Sequence, residues 1–540
     1  MALATRWWAR WQHLLPWRRP AAQVHAVVAL ALVVWTGWQC LGPAPADGLS
    51  AGTYDQLQQR RLWASAPDPR LLVIDIDERS LADMAGEFGR WPWPRDTLAT
   101  VLQHAQAQGA AAVVFDVLFS DPDRLHPGGD AALSAAVAQG AGFFPVMRLQ
   151  PALDTTSELR VDQLPGLALP PATAASAPAP RLAAVLPFMQ TMLASGRLGT
   201  HTATLDSDGK VRRFAFHEHL AGGWQLRSMP AAVAAHLGVA PLDSGQARLI
   251  VWRRQAEAYP RVPFAVAFAC AEGAQRADCP TLNGKVLIIG ATAAALHDIK
   301  TSPLALQHTG VDMLATLIDN ALHRRELREL PGAARWAACL LALGLAWHAV
   351  RRGRAGASGR ALWLLPSALM ALAWASLHSE SLYLDLALPA GAALTFLSAV
   401  ATLDGWRRQH HGQAADAPAG PWALVCGGPS AHGERLERAV FDLAALRGWK
   451  VSGGAMAAGD AGPAQLRWTL WGLPDETTTQ QAAQALGDTT AWHQAFEPGH
   501  HPQASLALAC AQAWLDAPPP QNTPLDLPTP ASVGTGRATA

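Results

Sequence analysis

A chain of 540 residues is too long for one hydrophobic core, so we expect two or more folded units. Lys plus Arg and Asp plus Glu number 42 each, so net charge gives no reason to expect nucleic-acid binding. Only 16% of residues are charged and 22 are Trp, many of them near apolar segments, where the interfacial anchors of membrane proteins tend to lie.

The first apolar segment comes after a basic start of the chain. Residues 21–46 carry no charged side chain, and 24–41 are dense in Val, Leu, Ala and Trp. About 20 apolar residues span a hydrocarbon core of ~30 Å, and the span must be helical because lipid offers the backbone no hydrogen-bond partner. We predict a cytoplasmic N-terminus at 1–20 and a transmembrane helix at 21–42. A signal peptide cleaved near 44–46 is the alternative, and both interpretations export the segment from 47 onwards.

Three more apolar runs predict transmembrane helices at 331–350, 361–379 and 384–403. Arginines cluster at alternate ends of the four runs: Arg6, Arg10, Arg18, Arg19, Arg351, Arg352, Arg354, Arg360, Arg407 and Arg408. The positive-inside rule then predicts a multi-pass protein of the bacterial inner membrane, with 43–330 outside and the chain after 404 inside. Three arginines fall on the outer side, interleaved with Glu326 and Glu329: Arg324, Arg325 and Arg328.

The exported segment alternates strand and helix patterns, which predicts an α/β domain with a mixed, largely parallel sheet. Strands are expected at 71–77, 110–119, 141–149 and 285–290, and helices at 94–108, 130–139 and 311–327. A hairpin turn is expected at 204–210, with Gly209 supplying a positive φ, and an inserted Pro- and Ala-rich loop at 151–181.

Charged residues lie at or after the ends of two of these strands and suggest a ligand site: Asp75, Asp77, Arg90, Arg95, Asp116, Asp121 and Asp123. By the two-residue period of a strand, we expect Asp75 and Asp77 to point to one face. Ligands of open α/β sheets favour the crevice at the carboxyl ends of strands, and carboxylates near arginines suit a polar solute or a divalent cation. The alternative is structural, with aspartates capping helices and turns and arginines pairing with them.

Cys270 and Cys279 are the two cysteines of the exported segment, and in an oxidising compartment we predict a disulfide between them. The cysteines elsewhere lack metal-ligand spacing, so we assign no metal site and no cofactor.

After a linker at 404–420, residues 421–516 predict a small two-layer α/β domain, with the order of a ferredoxin-like fold, and 517–540 a disordered tail. Strands are expected at 422–426, 465–473 and 491–496, and helices at 434–447, 478–486 and 505–515. Kinase, cyclase and diguanylate cyclase chemistry each need acidic or Asn metal ligands, and the strands at 422–426 and 465–473 contain none. We expect a non-catalytic or degenerate output domain and assign no catalytic residue.

Several motifs in fixed order carry a family resemblance: DIDE (75–78), GRWPWPR (89–95), FDVLFSDPD (115–123), DSDGKVR (206–212), GKVLIIGATA (284–293), GV (310–311) and DN (319–320). Over 50–325 they resemble CHASE2 extracytoplasmic sensor domains, as does the plan of one helix before and three after. Residues 314–316 depart from the family's His-Ala-Asn. The resemblance implies signal transduction by a membrane receptor.

The partners we expect are the lipid bilayer, an extracytoplasmic ligand or protein, a cytoplasmic protein and, as a further candidate, a second copy of the chain. Two other functions stay open: a membrane enzyme with a divergent cyclase-like output domain, and an envelope scaffold that binds another protein.

Overall fold

A computed structural model describes residues 21–42, 48–149, 159–171, 179–242, 245–274, 276–296, 298–352, 357–411, 422–429, 433–447, 449–455, 465–487 and 492–496. The chain forms two compact units. The sheet unit consists of Ser50–Leu330 and Ala373–Asp385, and the span unit of Met1–Leu49, Pro331–Leu372 and Leu386–Ala540. The predicted helix at 505–515 and the predicted tail at 517–540 lie outside the described residues.

The strands, in chain order, are β1 Leu71–Ile76, β2 Ala112–Phe115, β3 Gly142–Arg148, β4 Ala168–Leu169, β5 Ala184–Val185, β6 Leu198–Thr200, β7 Thr204–Leu205, β8 Val211–Phe214, β9 His217–His219, β10 Gln225–Arg227, β11 Arg248–Leu249, β12 Arg261–Pro263, β13 Val286–Ala291, β14 Ile299–Lys300, β15 His308–Thr309, β16 Arg328–Glu329, β17 Leu382–Tyr383, β18 Trp422–Pro429, β19 Lys450–Ala455, β20 Gln465–Leu473 and β21 Trp492–Phe496.

The α-helices are α1 Ala21–Leu41, α2 Gly48–Gln59, α3 Glu78–Phe88, α4 Arg95–Ala107, α5 Pro127–Ala138, α6 Gln190–Ala194, α7 Met229–His236, α8 Phe264–Ala271, α9 Gly310–Leu322, α10 Gly332–Arg352, α11 Ala357–Leu377, α12 Ala387–His411, α13 Gly433–Arg447 and α14 Glu476–Leu486.

A mostly parallel sheet forms the centre of the sheet unit, as predicted. Its strand order is β12-β1-β13-β2-β3-β5, and β6 also pairs with β3. All these pairs are parallel except β3 with β5. Strands β1, β2 and β13 are almost entirely buried, which explains their continuous Leu, Val and Ile runs, since parallel sheets are covered on both faces.

The two faces of the sheet carry different helices. Side chains alternate along each strand, so Ile74, Phe115 and Ile289 point into the large apolar core that also contains residues of α3, α4, α5 and α8. The opposite face of β13 contacts Val311 at the start of α9. Helix α9 is therefore the cover of the second face, and all of its residues are buried.

The DSDGKVR motif builds the predicted hairpin of β7 and β8, whose register pairs Leu205 with Val211. Gly209 adopts φ 78°, as the turn requires. Arg212 is buried and donates to the carboxylates of Asp206, Asp208 and Asp55, the last at 2.8 Å. The motif therefore ties the hairpin to α2 through a buried ion-pair network.

The helix predicted at 311–327 ends earlier than expected. Helix α9 stops at Leu322, and Arg324 adopts φ 53°, which no α-helix can accommodate. Residues beyond this bend form β16, which pairs with β17 in parallel register, Arg328 with Leu382. A long-range strand pair thus overrides the local helical pattern.

The α11–α12 turn belongs to the sheet unit, and it is held there by polar contacts. Glu380 accepts hydrogen bonds from Arg61 Nη2 at 2.7 Å and from the backbone and hydroxyl of Ser65 at 2.8 and 2.5 Å. Tyr383 packs edge-on against Tyr54 with ring centroids 5.3 Å apart. The compact unit is therefore completed by a segment that lies far along the chain from the rest.

Four helices are long and apolar enough to cross a membrane: Ala21–Leu41, Gly332–Arg352, Ser358–Leu377 and Ala387–Trp406. Helices α1, α10 and α12 pack together, with Leu343, Ala346, Phe396 and Val400 among the buried residues between them. The fourth helix begins at Ala387 rather than at 384, and three residues separate it from the end of β17. The third ends at Leu377 rather than at 379.

The small domain after the last long helix has the strand order β19-β20-β18-β21, with all neighbouring strands antiparallel. The chain order βαββαβ with this arrangement is that of a ferredoxin-like domain, as predicted. Its core contains Leu424, Phe441, Trp468 and Leu470 between the sheet and the two helices.

Candidate functional site

The carboxyl edge of the central strands presents a row of two carboxylates separated by a glycine. Asp75 of β1 lies opposite Gly290 of β13, and the register of β13 with β2 places Asp116 beside Gly290 on the other side. Because side chains directly opposite each other share a face, Asp75 and Asp116 both lie on the α9 face. Asp75 and Asp116, which the sequence places at the ends of two strands, therefore lie close together.

Gly290 allows α9 to pack closely against this row of carboxylates. A Cβ atom built there would lie 2.8 Å from Val311 Cγ2 and 3.0 Å from Asp116 Cβ. Only glycine lets Val311 pack directly on the strand between the two carboxylates. The Gly310-Val311 pair has a matching requirement, because a Cβ on Gly310 would lie 1.9 Å from Asp298 Oδ2.

Arg261 neutralises one side of the row. Its guanidinium donates to Asp75 Oδ2 at 3.1 Å and to both oxygens of Asp312 at 3.0 and 3.1 Å. Thr292 donates to Asp75 Oδ1 at 2.6 Å. Burial nevertheless raises the pKa of the Asp75 carboxyl above its usual value, while Thr292 and Arg261 oppose that rise.

Asp116 is the carboxylate of the row that is available to accept a hydrogen bond from a ligand. It makes no side-chain hydrogen bond or ion pair with any residue that the structure describes. Burial, reinforced by the nearby Asp298 carboxylate and opposed by Lys300, raises its pKa to about 7. Lys300 is itself paired with Asp298 at 2.6 Å.

His201, the residue after β6, lies near the same charges. Burial lowers the pKa of its imidazole, with a further lowering from Lys300. Its Nδ1 atom is buried without a hydrogen-bond partner among the described residues. The group that we name the carboxyl-edge cluster is Asp75, Asp116, His201, Arg261, Thr292, Asp298, Lys300 and Asp312. Chemically, it can bind a cationic or hydrogen-bond-donating group at Asp116 and exchange a proton near neutral pH.

Asp77 does not join the cluster, which corrects the expectation that it shares a strand face with Asp75. Strand β1 ends at Ile76, and Asp77 is the N-cap of α3, accepting from Ser80 N at 2.7 Å. Its carboxylate therefore caps a helix. Arg90 is exposed in the segment between α3 and α4.

Arg95, Asp121 and Asp123 lie on the opposite face of the sheet. Arg95 forms an ion pair with Asp130 and donates to the carbonyl of Asp121, and its guanidinium lies 5.8 Å from the ring of Phe119 in the large core. Asp123 accepts from the backbone amides of residues 125 and 126, and those hydrogen bonds hold its pKa low. These three residues organise a loop, so the predicted site divides between two faces.

The sequence analysis missed Arg261, Asp298, Lys300, Asp312, Thr292 and His201. Most of them lie in short strands or bends whose position depends on long-range pairing. The one local signal is the run around Gly310-Val311, where an acid at 312 comes directly after a helix start.

Asp68, Asp319 and His323 form a group whose ligand atoms lie within 4.8 Å of one another, close enough to hold a metal ion. Arg70 Nη2 already donates to Asp68 at 2.6 Å, and the Tyr259 hydroxyl donates to Asp319 at 2.9 Å. Because these donors already occupy one oxygen of each carboxylate, the arrangement fits an ion-pair network better than a metal centre.

Cys270 and Cys279 are joined by a disulfide, with an S–S distance of 1.95 Å and a Cα–Cα distance of 5.8 Å. The bond closes the loop after α8.

Within the span unit, α13 of the small domain contacts the ends of all four long helices. Arg438 donates to Asp404 Oδ2 of α12 at 2.9 Å and to the carbonyl of Val350 in α10. His25 of α1 lies 3.4 Å from the same Asp404. Ser358 of α11 donates to Glu434 at 2.8 Å, and Glu434 in turn accepts from Arg438. We name these residues the helix-end network: His25, Val350, Ser358, Asp404, Glu434 and Arg438.

Comparisons with curated proteins and with solved structures found no match. A model of the CHASE2 domain family matches residues 26–348, more than half of the chain. The matched segment contains most of α1, the complete α/β sheet with its carboxyl-edge cluster, and most of α10. The chain therefore belongs to the CHASE2 family of sensor domains.

Proposed function

We propose that this protein is a multi-pass membrane receptor of the bacterial inner membrane. Its CHASE2 domain at 43–330 lies outside the cytoplasm and binds a polar envelope ligand at the carboxyl-edge cluster. Four transmembrane helices carry the resulting change to the βαββαβ domain in 421–516, which acts on a cytoplasmic partner without chemistry of its own.

The observation that carries this proposal is the placement of a sensor-family domain between the first and second of four long apolar helices. Arg351 and Arg352 lie at the end of α10, and Arg360 lies in the first turns of α11. Arginines therefore lie on both sides of the connection between these two helices. Arginines of membrane proteins concentrate on the cytoplasmic side, which supports export of the sheet unit.

The helix-end network supports the proposed route of the signal. A single helix of the small domain contacts side chains of α11 and α12, a carbonyl of α10 and the backbone amide of Ala21 in α1. A ligand that favours one of two helix arrangements would therefore also favour one position of α13.

The test is the sidedness of two engineered cysteines, placed at exposed positions in a Cys510→Ser background. Ser207→Cys lies in the hairpin turn and Gln480→Cys in α14. A membrane-impermeant maleimide should label position 207 in spheroplasts and position 480 only after permeabilisation. Labelling of position 480 in intact spheroplasts, or protection of position 207, would contradict the proposed topology.

A divergent cyclase is the second candidate, since the output domain has a ferredoxin-like fold that many functions share. Strands β18 and β20 lack Asp and Glu, whereas a cyclase needs paired carboxylates on its sheet to hold metal ions. We expect the full-length protein to show no turnover of Mg-ATP or Mg-GTP. Formation of a cyclic nucleotide that Arg467→Gln or Trp468→Ala abolishes would favour the enzyme.

A further inference from the structure

An open cavity of about 730 Å³ lies in the sheet unit beside the α11–α12 turn. Its lining includes Arg324, Arg325, Glu326, Arg328, Glu380 and Ser381. Three arginines face two glutamates, and the sequence places all five within two short segments. The cavity is distinct from the carboxyl-edge cluster, with which it shares no residue.

The two glutamates neutralise the arginines of the cavity only in part. Glu380 lies 3.6 Å from Arg325 Nε, but it also accepts hydrogen bonds from Arg61 and Ser65, which lie outside the lining. Glu326 lies 3.3 Å from Arg328, whose side chain is still 66% exposed. The cavity wall therefore keeps an excess of positive charge.

Two of the arginines are poorly satisfied. Arg324 has no ion pair with any described residue, and its side chain is exposed. Arg325 Nη1 lies 3.5 Å from Asp319 Oδ1, and it is buried without a hydrogen bond among the described residues. Ser381 adds a hydroxyl whose contact, with Ser379, has a length of 3.4 Å. Guanidinium and hydroxyl donors around one cavity are the ligands that a phosphate group requires.

The cavity also lies close to the membrane boundary in sequence. Arg328 precedes the start of α10 at Gly332 by four residues, and residues 379–382 separate the ends of two candidate spans. Under the proposed topology these arginines are on the outer side, where the positive-inside rule disfavours them. An anionic ligand would offset the positive charge of arginines in that position.

We propose that this cavity binds the phosphate of an anionic phospholipid headgroup at the outer surface of the inner membrane. Arg324, Arg325 and Arg328 supply the positive charge and Ser381 a hydroxyl donor. This inference rests on the proposed function, because it makes the lipid composition of the outer leaflet an input to the receptor. The bound headgroup would bridge β16 and the α11–α12 turn, and so stabilise the pairing of Arg328 with Leu382.

The test uses the full chain in neutral detergent, where both sides are accessible, so it does not depend on orientation. Thermal unfolding is measured with dihexanoyl phosphatidylglycerol, with dihexanoyl phosphatidylcholine and with inorganic phosphate. Binding to the folded state raises the unfolding temperature, and the rise follows the logarithm of ligand concentration over Kd, so a titration of each probe gives its affinity. We expect phosphatidylglycerol to bind at least about tenfold more tightly than either other probe, because it alone combines an acyl anchor with net negative charge.

The double variant Arg324→Gln/Arg328→Gln should weaken phosphatidylglycerol binding by at least about tenfold. Arg254→Gln, an exposed arginine outside the cavity, is the matched control and should bind as the parent does. Because both substituted side chains are exposed, the double variant should unfold at the parent temperature when no lipid is present.

Equal binding of phosphatidylglycerol by the double variant and the parent would overturn the site. Equal stabilisation by inorganic phosphate would overturn the lipid as its source, and so would equal stabilisation by phosphatidylcholine. Inverted labelling of positions 207 and 480, with intact lipid binding, would instead refute the proposed topology and leave the site in place.

Discussion

At the residue scale, Asp116 and Gly290 determine the chemistry of the carboxyl edge. Gly290 lets Val311 approach the strand, and this packing helps to bury the neighbouring Asp116. Arg261 satisfies Asp75, whereas Asp116 has no such partner among the described residues. A carboxyl group held this way is kept protonated to higher pH than in water.

Asp116→Asn should remove a pH dependence of stability. The folded-state pKa, about 7, lies above the ordinary value of 3.8, so the folded protein binds the proton more tightly. Stability of the parent should therefore fall as pH rises from about 4 to about 7 and then level off. The fall is on the order of 2 kcal/mol, since the partly exposed carboxylate is screened by solvent.

Unfolding temperatures of the detergent-solubilised protein across this pH range measure the effect. The control is Asp83→Asn, which changes an exposed acid in α3 and should keep the parental slope. An unchanged slope in Asp116→Asn would show that Asp116 titrates at its ordinary value.

Gly290→Ala should destabilise the sheet unit by about 1–3 kcal/mol, because its methyl group would overlap Val311. Gly86→Ala is the matched control, since nothing lies within 4 Å of a Cβ there and the residue is inside α3. It should be neutral or stabilising by up to about 1 kcal/mol. Chemical denaturation of the two variants compares them, and equal stabilities would mean that α9 moves away freely.

At the element scale, the sequence predicts what local pattern determines and misses what long-range pairing determines. The buried strand at 285–290 and the turn at 204–210 are both predictable, because an apolar run and an Asp-Gly turn are local signals. The early end of α9 is not predictable, because β16 forms only when Arg328 meets Leu382, more than fifty residues later in the chain.

The candidate site shows the same division. Asp75 and Asp116 can be placed at strand ends from sequence, since parallel strands finish at one edge. Asp77, Arg95 and Asp123 cannot be separated from them, because capping and ligand binding use the same residue types. Arg261 comes from a three-residue strand at the edge of the sheet, whose pattern is too short to recognise.

The loop after α8 gives a prediction about oxidation. A disulfide that closes so short a loop stabilises by roughly 2–3 kcal/mol in the chain-entropy account, so Cys279→Ser should lower stability by that amount. In denatured, unreduced protein, iodoacetamide should modify the thiols of Cys40, Cys339 and Cys426 and spare Cys270 and Cys279 until a reductant is added. Modification of Cys270 before reduction would contradict the bond.

At the scale of the whole molecule, the helix-end network connects the four long apolar helices with α13 of the small domain. Asp404 is shared by His25 of α1 and Arg438 of α13, so a displacement of α12 relative to these two helices changes both contacts together.

A double-mutant cycle of Arg438→Gln and Asp404→Asn should give a coupling energy of about 1–3 kcal/mol. The measurement is hydrogen exchange of the backbone amides in α13, which should exchange faster in each single variant. Arg447→Gln at the exposed end of the same helix is the control and should leave exchange unchanged. Additive effects of the two substitutions would mean that the residues act independently.

The segment Ala373–Asp385 gives the sensor domain a discontinuous boundary. A gene fusion that moves only residues 50–330 onto another protein would leave Arg61 and Ser65 without Glu380, and Tyr54 without Tyr383. The domain therefore cannot be transferred as one continuous segment of the chain. A working chimera has to carry the α11–α12 turn, and with it at least two of the helices that come after the domain.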